Sequence, residues 1–174
     1  YPKNTIIHFH NMFNLFNYKF ISELLKSNFR VFATLHDQRY FTGGCHHTFK
    51  CDNYVNLKCE KCPAIPRYLR GFPPQNVSKM NEIVKLYDNL SFIAPSAWIA
   101  INARKSFAIG TSKMEVIPNV IHSTGFRNIR RFNDSDNPIK VGIASVDWRA
   151  PIKGGNILQV LLGGSGNFFE FVFL

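Results

Sequence analysis

Near the start of the chain, two short apolar runs stand on either side of a stretch in which apolar residues recur at helical spacing. Residues 5–9 are β-branched and aromatic, which is typical of a buried strand. Apolar side chains then recur at intervals of three and four residues and predict one face of a helix: Phe13, Phe16, Phe20, Leu24 and Leu25. A second strand is predicted over residues 30–35. Strand, helix and strand in this order predict a parallel β-α-β unit.

The same alternation returns after a long polar segment. Residues 37–74 are rich in glycine and cysteine and hold four of the nine prolines, which predicts a long irregular excursion. Loops of that length in a compact domain are usually functional or cross-linked. A helix is predicted over 77–86, a strand over 90–96, a helix over 97–107 with Ser96 as its cap, and a strand over 114–121.

Residues 122–138 are polar, lack an apolar period and predict a linker. A strand (139–145), a helix (153–162) and a strand (167–174) are predicted after it. The fold class is therefore α/β, with a domain boundary within the linker. Since three elements cannot cover both faces of a parallel sheet, we expect residues 139–174 to be only the start of a domain.

Composition adds a basic charge to this picture. The net charge is +10 with a pI near 9.7, which favours an anionic partner such as phosphate, nucleotide, nucleic acid or an acidic membrane, with a solvated basic surface as the alternative. The 45% hydrophobic content argues against wholesale disorder. Most of the 17 phenylalanines fall at helix or strand spacing, so core burial explains them better than stacking on nucleic-acid bases. No apolar run approaches a membrane span, and no signal peptide is recognised.

All four cysteines lie close together in the sequence, with the spacing C-x5-C-x7-C-x2-C: Cys45, Cys51, Cys59 and Cys62. The C-x2-C turn directs two thiolates to one point, and tetrahedral zinc needs two more ligands. The first two cysteines supply them, with His46 or His47 able to replace one. Two disulfides or free thiols are the alternatives. A redox-active pair is less favoured because Cys59 does not open a helix after a strand.

Polar residues follow the first two predicted strands. His36 and Asp37 end the second strand, where open α/β sheets place their ligand crevices. A histidine there can transfer a proton or bind a polar substrate; a structural histidine with Asp37 as a cap is the alternative. His8 and His10 alternate and so share a face, followed by Asn11. Cleft-lining and structural roles are equally open for them.

The segment RAPIKGG joins a predicted strand to a predicted helix and contains Arg149 and Lys153. A helix N-terminus after a glycine-rich turn is a natural anion site, and lysine adds a full charge. The P-loop order G-x4-G-K-[ST] is absent. Ordinary turn chemistry with solvated cations is the alternative.

Five segments occur in a characteristic order: TLHDQRYFTGGCHHTFKC, CEKCPAIP, FIAPSAWIA, VIPNVI and VGIAS…IKGG. In this order the chain resembles a branch of the retaining glycosyltransferases of family 4 (glycosyl transferases group 1). The resemblance runs from Ile6 to about Ile157 and is most specific in the TLHD-plus-cysteine segment. That family has the GT-B architecture, in which two Rossmann-like domains face each other across a cleft.

The resemblance implies three regions. Residues 1–121 would be a partial acceptor-side Rossmann-like domain with the cysteine-rich loop 37–74, residues 122–138 the linker, and residues 139–174 the truncated start of the donor-binding Rossmann-like domain. The family's first strand and glycine-rich loop are missing upstream, and its acidic E-x7-E-type motif would lie beyond residue 174. We therefore expect a fragment that is inactive alone.

The resemblance also assigns roles to the candidate residues. Lys153 and Gly154 match the family's KG pair, whose lysine binds the donor diphosphate, and Arg149 is the nearby arginine, although its spacing differs from the family's. His36 and Asp37 would be catalytic, because His36 aligns with the histidine that faces the transferred sugar and the acceptor. The acceptor side of the cleft would add His10 and Asn11.

The implied function is transfer of a sugar, with retention, from a nucleotide-sugar donor to a hydroxyl of a glycan or lipid-linked acceptor in surface polysaccharide biosynthesis. Catalysis would require no cofactor, so any zinc at the cysteines would be structural. The expected location is cytoplasmic and peripheral to the anionic inner face of the plasma membrane, with no nucleic-acid partner. The alternative from another class is a non-enzymatic, basic zinc-clip module that binds nucleic acid.

Overall fold

The computed structural model describes residues 5–11, 17–121, 139–164 and 169–173. The chain divides into two compact units, Tyr1–Ile121 and His122–Leu174. The predicted linker at 122–138, and Phe13 and Phe16 of the first predicted helix, lie outside the described residues. Among the described residues, no helix has the length and apolar character needed to cross a membrane.

The first unit is built on a parallel sheet of four strands in the order β1-β2-β3-β4. The strands are β1 (Ile6–Phe9), β2 (Arg30–Thr34), β3 (Leu90–Ala94) and β4 (Lys113–Val116). The helices are α1 (Tyr18–Lys26), the short α2 (Asn53–Asn56), α3 (Phe72–Leu86) and α4 (Ala97–Lys105). The predicted α/β class and the first β-α-β unit are confirmed, and the sheet is compatible with a Rossmann-like fold.

One face of this sheet carries the core. Alternate residues of β2 and β3 are buried on it: Val31, Ala33, Leu90, Phe92 and Ala94. Side chains of three helices pack on them: Ile21 and Leu25 from α1, Val77, Met80 and Ile83 from α3, and Ile99, Ala100 and Ala103 from α4. The intervening strand residues Phe32, Ser91 and Ile93 are half-buried. The period-2 alternation of strand side chains thus separates a fully covered face from a partly covered one.

Side-chain caps fix where two of these helices begin. Asn17 Oδ1 accepts a hydrogen bond from the Phe20 N–H at 2.9 Å. Ser96 Oγ accepts from the Ile99 N–H at 3.4 Å, so the predicted cap is confirmed. Each oxygen satisfies an N–H group of the first turn that has no partner within the helix.

The prediction that residues 37–74 form an irregular excursion is wrong in part. The segment contains α2 and two 3₁₀ turns, Arg39–Phe41 and Arg67–Leu69, and α3 begins at Phe72 instead of residue 77. Pro73 and Pro74 lie in the first turn of α3, where proline removes no helical hydrogen bond. The segment also supplies core side chains, because Tyr40 packs edge-on against Phe92 with ring centroids 5.8 Å apart.

The second unit contains a parallel pair of strands, β5 (Ile139–Ile143) and β6 (Phe169–Phe173), with helix α5 (Gly155–Gly164) between them in sequence. A 3₁₀ turn, Pro151–Lys153, precedes α5. The predicted β-α-β order is confirmed. Several apolar side chains of this unit are exposed: Ile139, Ile157, Val160, Leu161, Phe169 and Phe173.

Replacing Phe92 by alanine tests the core of the first unit. Phe92 is 1% exposed, so Phe92→Ala is expected to lower the free energy of unfolding by about 3–5 kcal/mol through lost burial and a residual cavity. Urea denaturation followed by circular dichroism measures this. Tyr68→Ala is the matched control, because Tyr68 is 83% exposed and its loss should change stability by less than about 0.5 kcal/mol. Equal effects of the two substitutions would contradict the assigned core.

Candidate functional site

Polar side chains meet where β1 and β2 end. Phe9 of β1 pairs with Ala33 of β2 in parallel register, so the residues after both strands emerge at the same edge of the sheet. His10 and His36 lie there, 26 positions apart in sequence, with His10 Nδ1 3.1 Å from His36 Nε2. Their rings stack with centroids 5.4 Å apart. The structure therefore brings together two of the predicted site residues.

His8 extends this pair into a cluster of three imidazoles. Its ring centroid lies 4.2 Å from that of His10, which confirms that the two histidines share a face. Its Nε2 is hydrogen-bonded to Thr34 Oγ1 at 2.8 Å. Burial, and then the neighbouring charges of His10 and His36, lower the pKa of His8. We call His8, His10 and His36 the histidine cluster. All three are exposed, and the His8 ring is also held by a strand residue, Thr34.

Asp37 and Asn11 are both held by Arg39, a residue that the sequence did not single out. The Asp37 carboxylate accepts a hydrogen bond from the Arg39 N–H at 2.9 Å, and its other oxygen lies 3.4 Å from Arg39 Nε. Arg39 Nη1 donates to Asn11 Oδ1 at 3.3 Å, and Nη2 contacts the His46 ring. Arg39 is 8% exposed. A buried guanidinium thus fixes the loops after β1 and β2 to each other.

Nothing in the local sequence marks Arg39 as a buried connector. It lies in a polar segment, where a basic residue is usually solvated. Only the partners that the fold supplies, Asp37, Asn11 and His46, make its burial favourable, because an unpaired buried charge would be costly. The geometry favours a positioning role for Asp37 over direct contact with a reacting group.

Tyr40 is a second site residue that sequence reasoning missed. It is 4% exposed, and its hydroxyl has no hydrogen-bond partner. It lines a small recess together with residues already described: His10, Asn11, Thr34, His36 and Asp37. Burial, then the charge of Asp37, raises the pKa of Tyr40 well above its usual range. The phenol is therefore neutral and can donate a hydrogen bond to a ligand oxygen.

Taken together, the edge offers two imidazoles and a phenol to a polar ligand. Neutral imidazole can accept a proton at one nitrogen and donate one at the other, and the contact between His10 and His36 links the two rings. The recess can recognise hydroxyl groups, which both donate and accept hydrogen bonds.

The glycine-rich turn of the second unit has a specific backbone geometry. Gly154 has φ +76°, and a Cβ at Gly155 would lie 2.2 Å from the Arg149 carbonyl oxygen. Both positions therefore require glycine. Lys153 is exposed and lies two residues before Gly155, where α5 begins. N–H groups of a first turn have no partners within their own helix, and that of Gly155 donates to the Ala150 carbonyl at 3.3 Å. This is the arrangement expected of an anion site at a helix N-terminus.

Arg149 is placed differently from Lys153. Its guanidinium lies over the Trp148 ring, 4.5 Å from the centroid, and its backbone N–H donates to Asp147 Oδ1 at 3.1 Å. The cation is stabilised by the aromatic face. Arg149 thus contributes its backbone to the turn through the close approach of Gly155, and its side chain is engaged with its neighbour.

Three of the four cysteines, Cys45, Cys59 and Cys62, line a cavity of about 500 Å³ in the first unit. All four thiols are free, and Cys59 and Cys62 are buried. Burial raises the pKa of Cys59 to about 11, although the Gly43 N–H donates to its sulfur at 3.2 Å and opposes the shift. As the side chains stand, the described residues contain no group of three or more His, Cys, Asp or Glu arranged to hold a metal ion.

The histidine cluster predicts a pH-dependent stability. The pKa of His8 lies below its ordinary value of 6.5, so the unfolded chain binds a proton more readily than the folded one. The stabilisation is therefore present above about pH 6.5 and is lost as the pH falls toward the folded-state pKa. The free energy of unfolding, measured by chemical denaturation at a series of pH values, should fall less steeply with decreasing pH in His8→Gln than in the unmodified chain. The same pH dependence of stability in both proteins would contradict the lowered pKa of His8.

Tyr40 predicts an unusual stability change. A buried hydroxyl without a partner costs about 1–3 kcal/mol, so Tyr40→Phe is expected to raise the free energy of unfolding by about 1 kcal/mol. Tyr54→Phe is the matched control: the Tyr54 hydroxyl donates to Asn102 Oδ1 at 3.2 Å, and its removal should lower stability by about 1 kcal/mol. Urea denaturation measures both. A loss of stability in Tyr40→Phe would show that its hydroxyl is satisfied.

Comparison of the chain with protein-family models, curated proteins and solved structures gave no match. Its function is therefore argued from its own residues.

Proposed function

We propose that this chain provides the acceptor side and the beginning of the donor side of a retaining GT-B glycosyltransferase. The reaction class is transfer of a sugar from a nucleotide-sugar to a hydroxyl of a glycan or lipid-linked acceptor. The observation that carries the proposal is the pairing of His10 and His36 at the carboxyl edge of a parallel sheet, 3.1 Å apart. Ligands of open α/β sheets bind at this edge.

The histidine pair suits an acceptor hydroxyl in contact with the donor sugar. In transfer, the bond between the anomeric carbon and the diphosphate oxygen breaks, the acceptor oxygen bonds to that carbon, and the hydroxyl proton is released. His36 contacts the reacting sugar or acceptor, and His10 continues the surface toward the acceptor. Tyr40 offers a neutral donor from the floor of the recess. Asp37 and Asn11 keep the loops in place through Arg39.

The turn before α5 suits the departing diphosphate. Lys153 supplies a full positive charge, and the N–H groups of the first turn beyond Gly155 supply directed donors. Charge that develops on a leaving diphosphate is stabilised best by groups that are already in place before the reaction. Gly154 leaves room for a phosphate, because nothing lies within 4 Å of its Cβ position, and Gly155 lets the turn close on the Arg149 carbonyl.

The proposal includes a location and a set of partners. The net charge of +10 suits an enzyme that works on lipid-linked acceptors at an anionic inner membrane surface. Its partners would be the nucleotide-sugar, the acceptor and anionic lipid headgroups, and not nucleic acid. No metal takes part in the transfer step.

The test is sugar transfer by the full-length product of the gene that encodes this chain. The protein is incubated with a panel of nucleotide-sugars and glycan or lipid-linked acceptors, and the nucleoside diphosphate released is measured. We expect release from one donor class that depends on the acceptor. His36→Ala should lower the rate by about 10²–10⁴-fold through loss of proton transfer or positioning. Lys153→Ala should lower it by about 10²–10³-fold through loss of charge stabilisation.

Lys105→Ala is the matched control for Lys153→Ala, because it removes the same charge from an exposed position at the end of α4. It should retain activity. Oligonucleotide binding is measured in parallel over a range of salt concentrations. Steeply salt-dependent binding with no release of nucleoside diphosphate from any donor would favour the nucleic-acid module instead.

A further inference from the structure

The backbone around the C-x2-C pair reverses direction in left-handed conformations. Lys58, Cys59 and Lys61 have φ values of 48°, 61° and 53°, a region that residues other than glycine rarely adopt. Three such residues within four positions are costly unless surrounding contacts or a ligand hold them. They curl the chain tightly around the two buried thiols of Cys59 and Cys62.

The other thiols lie beside this turn. Cys45, Cys59 and Cys62 line one cavity. Cys51 lies between them in sequence, and its N–H donates to the Thr48 carbonyl at 2.8 Å. The fold thus brings three of the four cysteines to one cavity, with the fourth in the segment that leads from Cys45 to the C-x2-C pair.

A backbone donor also points at one of these sulfurs. The Gly43 N–H lies 3.2 Å from Cys59 Sγ, the arrangement in which a backbone amide stabilises a thiolate that binds a metal. Gly43 is fixed in turn, because its carbonyl accepts a hydrogen bond from Asn76 Nδ2 at 3.1 Å. A Cβ at Gly43 would lie 2.4 Å from the Pro73 Cβ, so this backbone packs against the first turn of α3 and leaves no room for a side chain.

We propose that Cys45, Cys51, Cys59 and Cys62 bind one structural Zn²⁺ ion as a tetrahedral tetrathiolate site. Four soft thiolates in a closed, partly buried site select zinc over Mg²⁺ or Ca²⁺, which prefer oxygen ligands. On binding, each thiol loses its proton to solvent and each sulfur forms one bond to the metal. No oxidation or reduction takes place.

In the present arrangement no three of the described side chains form a metal-holding group, so the four sulfurs must come together when the ion binds. A histidine ligand is less suitable than the fourth cysteine. His46 is engaged by Arg39, so its use would leave that buried guanidinium short of a partner.

The site would hold the segment that carries Arg39, Tyr40 and Phe41 against the first unit. Gly43 and Cys45 follow these residues directly, and Phe107 N–H donates to the carbonyl of Tyr54, near the other end of the cluster, at 3.2 Å. The role is structural and independent of sugar transfer, so its test does not depend on that activity.

The test uses the full chain, purified with reductant, stripped with a chelator and then titrated with Zn²⁺ or Co²⁺ alone. We expect one metal ion per chain by elemental analysis, and the visible absorption of a tetrahedral cobalt-thiolate complex. The partly exposed thiols of Cys45 and Cys51 should alkylate faster without metal than with zinc, and removal of zinc should lower the unfolding temperature. These measurements on the unmodified chain do not require any variant to fold.

Variants identify the ligands. Cys59→Ser and Cys62→Ser should each weaken zinc binding by more than about 100-fold, since losing a direct ligand costs more than the 10–100-fold of an outer-shell partner. Glu60→Gln is the matched control within the same turn and should bind zinc normally. His47→Ala should also bind normally, and a loss of binding in it would overturn the tetrathiolate.

Two results would overturn the proposal as a whole. The first is alkylation of Cys45 and Cys51 at the same rate with and without zinc in reduced protein. The second is a pair of disulfides in protein isolated without reductant, with an unfolding temperature that zinc does not change after reduction.

Discussion

Parallel pairing of β1 with β2 is the constraint on which the candidate site depends. Strands that run in the same direction end at the same edge, so residues that follow them must meet there whatever the length of the connection. His10 and His36 are 26 positions apart in sequence and in hydrogen-bond contact for this reason. In an antiparallel pair the same residues would lie at opposite ends of the strands. The chemistry at this edge is therefore a consequence of topology.

Structural features that depend on a local residue or on a periodic pattern could be predicted from the sequence. The first β-α-β unit, the cap at Ser96 and the shared face of His8 and His10 could be predicted from apolar spacing, a capping residue and alternation. The start of α3 could not, because Pro73 and Pro74 are usual signs of a loop and are tolerated here only as first-turn residues. The burial of Tyr40 and Phe41 could not be predicted either, because it depends on partners distant in sequence such as Phe92.

The two functional features of the TLHD-plus-cysteine segment are physically joined. Arg39 contacts Asp37 and Asn11 on one side and His46 on the other, and His46 directly follows the first cysteine. Sequence reasoning treated the strand-end residues and the cysteines as neighbours with separate roles. The buried guanidinium of Arg39 instead contacts residues of both features. The strand-end residues and the cysteine segment keep separate proposed roles, but their positions are linked through Arg39.

The turn after His36 and Asp37 places Tyr40 and Phe41 in the middle of the hydrophobic core, where Phe41 is 0% exposed. Surface loops usually open by local fluctuations that leave the rest of a domain intact. This segment cannot, because lifting it from the surface would expose two large aromatic side chains to water. The histidine edge and the interior of the first unit thus belong to one cooperative unit. Flexibility of the segment that follows β2 would then come from its side chains, which restricts any ligand of this edge to a shape that the backbone of this segment already accommodates.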